Sequence, residues 1–130
     1  LKFLLKMIPF EQHIFTNANN THAIMCLNKM NIINNFSKIV TRDTIKDFKP
    51  FKDSYKKFMQ ATNITQNDKI IFFEDTMENL EVAKLYGWNT IYIGENYHSN
   101  CVYNYIDKSF KTIEDALEHI ISNLNRLNKH

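Results

Sequence analysis

The stretch Ile70-Ile71-Phe72-Phe73-Glu74-Asp75-Thr76-Met77-Glu78-Asn79 constrains the fold more than any other. Its apolar, partly β-branched run reads as a buried strand, and it stops abruptly at two adjacent carboxylates. Open α/β sheets place their ligands outside the carboxyl ends of buried parallel strands. Two neighbouring acids there repel each other unless a proton or cation compensates, so a hard cation such as Mg²⁺ is their natural partner.

Two further strand-end features precede this one. His13-Ile14-Phe15-Thr16-Asn17-Ala18 is a short apolar run ending in a hydroxyl and an amide, and Phe48-Lys49-Pro50 holds a lysine just before a predicted helix start. Thr16, Lys49 and Asp75 lie about 33 and about 26 residues apart, gaps that each fit one or two turns of a βα alternation.

In that order the three features resemble the second, third and fourth motifs of the haloacid-dehalogenase-like (HAD) hydrolases, a superfamily dominated by Mg²⁺-dependent phosphatases. The wording is closer to the pyrimidine 5′-nucleotidase-type branch. It runs Ile14-Phe15-Thr16-Asn17-Ala18 with His22-Ala23, then Lys49-Pro50, then Phe73-Glu74-Asp75 with Asn79 and Gly87-Trp88. The resemblance covers roughly residues 1 to 95. It implies an α/β fold, the three-layer Rossmann-like parallel sheet of the HAD core. The superfamily's first motif is an Asp-x-Asp whose first Asp is the covalent nucleophile and whose second is a general acid/base. Residues 1–15 contain no Asp. Leu1 to Pro9 resembles the helix and turn leading from the cap back into the core. Residues 1–11 are therefore assigned to the end of the cap and its connection, and 12–130 to a partial core. The expectation is the C-terminal part of a longer protein, without the central first strand and most of the cap.

The resemblance also implies roles. Thr16 would donate its hydroxyl to a phosphate oxygen, and the Asn17 backbone N–H would add a second donor. Lys49 would set its ammonium against the phosphoryl group and the nucleophile, lowering their repulsion. Thr16 and Lys49 are thus the catalytic candidates, and Thr16, Asn17 and Lys49 the phosphate-binding ones. Asp75 is expected as a direct or water-mediated Mg²⁺ ligand assisted by Glu74, although which carboxylate touches the metal stays open, and Asn79 would orient their loop. Each has a plainer reading: a strand-ending threonine, a surface lysine, acids capping the helix near Glu78, a helix-surface asparagine. His22 reads as a helix-start residue, since Met25 stands where the family pattern has an Arg. His13, His98, His119 and His130 share no metal spacing, and Trp88 with Tyr92, Tyr97, Tyr103 and Tyr105 reads as packing.

The 130 residues suffice for one domain with a core. A net charge of +2 with scattered lysines argues against a nucleic-acid polymer as partner, and apolar runs of about five residues fall far short of the roughly 20 of a membrane helix. Cys26 and Cys101 are too few for a disulfide framework, so a reduced, cytoplasmic setting is expected. The resemblance implies a parent phosphomonoesterase acting on a small phosphorylated metabolite such as a nucleoside 5′-monophosphate, with this chain inactive alone. The alternatives are a catalytically inactive remnant or binding module of the same fold, and a receiver-like domain. The latter carries its acids near the amino terminus, which this chain does not match.

Periodicity predicts helices over residues 1–7, 22–30, 51–61, 78–86 and 112–125, and strands over 12–16, 38–41, 69–73 and 90–93. Asn20 or Thr21 is the predicted cap of the second helix, whose Ala23, Leu27 and Met30 share one side; Pro50 suits the first turn of the third, whose Phe51, Tyr55, Phe58 and Met59 share one face; Gly87 ends the fourth. If the superfamily topology holds, the absent strand lies between those ending at Thr16 and Glu74. The apolar edges left open would then favour self-association.

Overall fold

Short parallel strands alternating with helices build the chain, as described for residues 1–128 by a computed structural model. The strands form two separate sheets, one of two strands and one of three. The chain divides into two compact units. One holds Lys2 and Pro9–Asp68; the other holds Leu1, Phe3–Ile8 and the chain from Lys69 onward. The α/β class with parallel sheets is as the sequence predicts.

The chain opens with α1 (Lys2–Met7), which buries Leu5 and exposes Phe3 and Met7. In the first unit β1 (His13–Phe15) is followed by α2 (Asn20–Lys29), and β1 then pairs in parallel with β2 (Lys38–Val40), Ile14 opposite Ile39. The cap of α2 is Asn19, whose side chain accepts the His22 N–H at 2.8 Å. The predicted cap Asn20 is inside the helix, where its carboxamide oxygen accepts the Thr41 hydroxyl instead. Ala23 and Leu27 face the core as expected, but Met30 is 54% exposed. The helix ends at Lys29 and Asn31 turns the backbone at φ 56°, so buried Ile32 takes the core position that the helical period assigned to Met30.

Thr41, fully buried, ends β2 and caps α3 (Arg42–Ile45) through a reciprocal pair with Thr44. That one-turn helix carries too short a pattern to be read from sequence. Next comes α4 (Lys52–Thr62), with Tyr55 and Phe58 buried. The Phe15 ring stacks on Phe58 at 4.6 Å and meets Tyr55 edge-on at 5.4 Å, which ties β1 to α4. Phe51, expected on the inner face of this helix, is its cap and lies exposed. Pro50 precedes the cap rather than occupying the first turn.

In the second unit β3 (Ile71–Glu74), α5 (Met77–Leu85), β4 (Asn89–Ile93), α6 (Tyr97–Asn100), β5 (Lys108–Phe110) and α7 (Ile113–Asn128) succeed one another. The sheet order is β3-β4-β5, all parallel, with Phe73 opposite Ile91 and Glu74 opposite Tyr92. Gly87 closes the α5 connection at φ 81°, a conformation that disfavours any residue with a Cβ. Leu80 and Ala83 of α5, Trp88, Ile91 and Tyr92, and Ala116, Leu117 and Ile121 of α7 form the core. Trp88 meets Phe72 edge-on at 5.4 Å, so its role here is packing. The apolar run of β3 is not uniformly buried: Ile71 is 41% exposed while Phe72 is buried. Neither α6 nor β5 was legible in the sequence, since Lys108-Ser109-Phe110 carries neither an apolar run nor a turn signal. Asp107, just before β5, gives the strand its anchor. One carboxylate oxygen accepts from Lys84 Nζ at 2.6 Å and from the Thr90 N–H at 2.8 Å.

Candidate functional site

In the first unit the residues after β1 fold around Lys49. The Asn17 carboxamide brackets the main chain of that residue: its Oδ1 accepts the Lys49 N–H at 2.8 Å and its Nδ2 donates to the Lys49 carbonyl at 3.0 Å. Lys49 is 7% exposed, and its Nζ donates to the Phe15 carbonyl at 2.7 Å while lying 4.7 Å from the centre of the Phe15 ring. This is not the solvated lysine of the plainer reading. Its ammonium is turned to the carboxyl end of β1, on the Phe15 carbonyl and over the Phe15 ring. Beside it the Thr16 oxygen accepts the Ala18 N–H at 3.1 Å, which fixes the hydroxyl in the strand-to-helix turn and leaves its proton to donate. Thr16, Asn17 and Lys49 are therefore brought together in one unit. The sequence pointed to the Asn17 backbone N–H; the clamp made by its side chain was missed, because nothing in sequence pairs residues 17 and 49.

In the second unit Glu74, Asp75 and Asn79 are brought together. Glu74 Oε2 accepts the N–H groups of Asp75 at 2.9 Å and Thr76 at 3.1 Å, and its Oε1 accepts from Asn79 Nδ2 at 3.1 Å. Buried Asn79 thus orients the loop through Glu74, so it is not a helix-surface residue. Asp75 is exposed and accepts the Thr76 hydroxyl at 3.3 Å. The Asp75 pKa is raised, first by its hydrogen bond with Glu74, then by burial and by repulsion from the same carboxylate. Glu74 thus organises the loop, and Asp75 presents its carboxyl outward beside it. A cation at Asp75 relieves that repulsion.

These residues fit Mg²⁺. The ion is commonly held by one or two carboxylates with water and phosphate oxygens filling its other positions, so no larger protein cage is needed. Among the described residues no three His, Cys, Asp or Glu side chains gather into a metal cluster; His130 lies outside the described residues.

Residues 5–93 match the family model for haloacid dehalogenase-like hydrolases, more than half of the chain. The chain belongs to this family. Solved HAD structures resemble it in fold. The L-2-haloacid dehalogenase of Xanthobacter autotrophicus, with chloropropionic acid covalently bound, aligns with a TM-score of 0.74 at 14% identity over 92% of this chain and 58% of its own. A HAD phosphatase from Thermococcus onnurineus gives 0.73 at 16% over 90% and 54%. The magnesium-bound HAD-hydrolase YfnB of Bacillus subtilis gives 0.74 at 18% over 92% and 52%. The chain thus spans a little over half the length of these HAD relatives, and its two parallel sheets correspond to part of a HAD Rossmann-like core.

His22 lies exposed on the first turn of α2, as expected of a helix-start residue. Its Nε2 stands 3.6 Å from Cys26 Sγ, a pairing that the sequence reading passed over. Among the described residues no helix is long and apolar enough to cross a membrane.

Proposed function

We propose that this HAD chain is the C-terminal part of a Mg²⁺-dependent phosphomonoesterase. It would act through an aspartyl-phosphate whose nucleophile lies outside these 130 residues, on a small phosphorylated metabolite such as a nucleoside 5′-monophosphate. The observation that carries the reading is the buried, clamped Lys49, whose ammonium sits on the carbonyl of Phe15, the residue before Thr16. A fixed cation and a fixed donor at a strand end suit the oxygens of a transferring phosphoryl group, where preorganised charge contributes most. Thr16 donates to one such oxygen and Lys49 offsets the charge of the others. Glu74 and Asp75 would hold the metal, whose contribution is that of a Lewis acid.

The acid pair favours phosphoryl chemistry over dehalogenation. A carboxylate destabilised by its neighbour invites a cation, which halide displacement from carbon does not require. Self-association belongs to the same reading, supported by the exposure of Phe3, Met7, Phe10 and Ile71. The free thiols of Cys26 and Cys101 suit a reducing cytoplasm.

The test compares p-nitrophenyl phosphate hydrolysis by the chain alone and by the chain extended at its amino end with an Asp-x-Asp-bearing HAD segment. The chain alone should show no turnover, and the extended form Mg²⁺-dependent turnover that is lost on Asp75→Asn. Turnover by the chain alone would overturn the placing of the nucleophile. An extended, folded protein that releases chloride from 2-chloropropionate but hydrolyses no phosphate ester would overturn the phosphatase reading.

A further inference from the structure

The turn that carries Thr16 and Asn17 is bonded along its length to one junction, the end of β2 and the start of α3. The Thr16 N–H donates to the Val40 carbonyl at 3.0 Å, and the Ala18 carbonyl accepts the Arg42 N–H at 3.1 Å. Asn20, the first residue of α2, donates its N–H to the Asp43 carboxylate at 2.9 Å. Residues 16, 18 and 20 therefore meet residues 40, 42 and 43, and Thr41 stands at the centre of the second set.

Thr41 is 0% exposed. Its hydroxyl donates to the Asn20 carboxamide oxygen and accepts the Thr44 N–H at 3.3 Å. The second bond caps α3, whereas the first reaches across to α2. A buried hydroxyl costs stability unless it is bonded, and a valine would fill the space with no such demand. Neither packing at the end of β2 nor the cap of α3 accounts for the bond to Asn20. That bond fixes the start of α2 against the junction that already holds Thr16 and Ala18. The turn between β1 and α2 is thereby held from the strand before it and from the helix after it. Such fixing matters to a reaction, because a misplacement of about 1 Å costs about a hundredfold in rate.

We propose that Thr41 and Asn20 are positioning residues for phosphoryl transfer. Their side-chain bond sets the place of the Thr16 hydroxyl and the Asn17 N–H against the phosphoryl group, and neither side chain touches that group. The inference rests on the phosphatase reading.

The test measures p-nitrophenyl phosphate hydrolysis by the extended form that carries an Asp-x-Asp segment, well below the melting temperature of every variant. Thr41→Val should lower kcat by about tenfold with KM nearly unchanged, as when an interaction made in the transition state is lost. Thr41→Ser keeps the hydroxyl and should restore kcat to within about twofold of the parent. Asn20→Ala should match Thr41→Val, and the double variant should lose no more than either alone, since all three lack the same bond. Asn20 is exposed, so Asn20→Ala reads that bond even where Thr41→Val does not fold. Thr44→Val removes the reciprocal cap of Thr41 and leaves the Asn20 bond, so it should lower the melting temperature without lowering kcat. A kcat unchanged in Asn20→Ala, losses that multiply in the double variant, or a kcat lowered as much by Thr44→Val would each overturn the proposal while the phosphatase reading stands. A folded extended parent that hydrolyses no phosphate ester would overturn that reading, and this inference with it.

Discussion

After β1 a positive side chain is buried with its ammonium on a backbone carbonyl, its own main chain bracketed by a carboxamide; after β3 two negative side chains meet, and one is left facing solvent. Both arrangements sit where a parallel strand hands over to the following segment. The Asn17 bracket, the Phe15 carbonyl and the Phe15 ring all anchor Lys49 within its own unit. The acid pair is settled only in part: Glu74 is satisfied by two backbone N–H groups and Asn79, whereas the Asp75 pKa stays raised by the acid beside it. A preorganised cation acts without rearrangement when charge develops nearby, while an unsettled carboxylate responds to whatever ion arrives. The first loop is built to be constant and the second to be filled.

The largest expected effect tests the constant side of that contrast. In the extended, active form, Lys49→Met keeps the buried stem and removes the charge. Turnover of p-nitrophenyl phosphate should fall by about a hundred- to a thousandfold, the usual cost of losing one preorganised electrostatic contact. Turnover within twofold of the parent would show that the ammonium serves only the Phe15 carbonyl, and the contrast would reduce to packing.

Stability of the isolated chain supplies the next test. Asn17→Ala removes both hydrogen bonds to the Lys49 main chain, each worth about 0.5–1.5 kcal/mol net. Asn79→Ala removes the bond to Glu74 Oε1 that tethers an exposed loop. Urea unfolding should show Asn17→Ala costing about 1–3 kcal/mol and Asn79→Ala the smaller amount. In addition, Mg²⁺ should raise the melting temperature of the parent chain, and Asp75→Asn should cancel that rise while Asn17→Ala leaves it in place. An equal or larger loss in Asn79→Ala would invert the comparison, making the acid loop the more rigidly built of the two.

The residues on which this contrast rests were unevenly legible. Thr16, Glu74 and Asp75 could be singled out because they close apolar runs, and Lys49 because it stands just before Pro50 at a spacing that resembles the family's motifs. The clamp by Asn17 could not be read, since it joins residues 32 apart through a side chain that also suits a turn. Helix existence was clear wherever apolar residues recurred every three or four positions, as in α4 and α7. It failed for α3 and α6, each a single turn, and β5 was lost because Lys108-Ser109-Phe110 carries no apolar run. Inner faces misled at the ends of elements. Met30 and Phe51 fit the helical period, yet the backbone leaves the helix at one and enters it at the other. The His22–Cys26 pair was passed over because cysteine was weighed against cysteine, and the imidazole one turn away was not.

The smallest effect separates two acids within the second unit. Burial would push the Asp107 pKa up, but the hydrogen bond from Lys84 and those from the Thr90 backbone and hydroxyl outweigh it, and the net shift is downward. Its contribution is therefore complete above the unfolded carboxylate value of about 3.9 and is lost as pH falls through the lower folded value. Asp75 runs the other way. Its folded value is raised, so at neutral pH its charge costs stability, and that cost disappears as acidification protonates it. Without Mg²⁺, Asp107→Asn should lower the melting temperature at neutral pH, and the difference should close below about pH 4. Asp75→Asn should raise it at neutral pH, with the gain shrinking as pH falls toward about 4. Because the Asp107 carboxylate is 41% exposed, solvent screens its pair with Lys84 and the shift should be modest. A melting temperature lowered by both substitutions alike would show that Asp75 is as well compensated as Asp107, and that its loop does not await a cation.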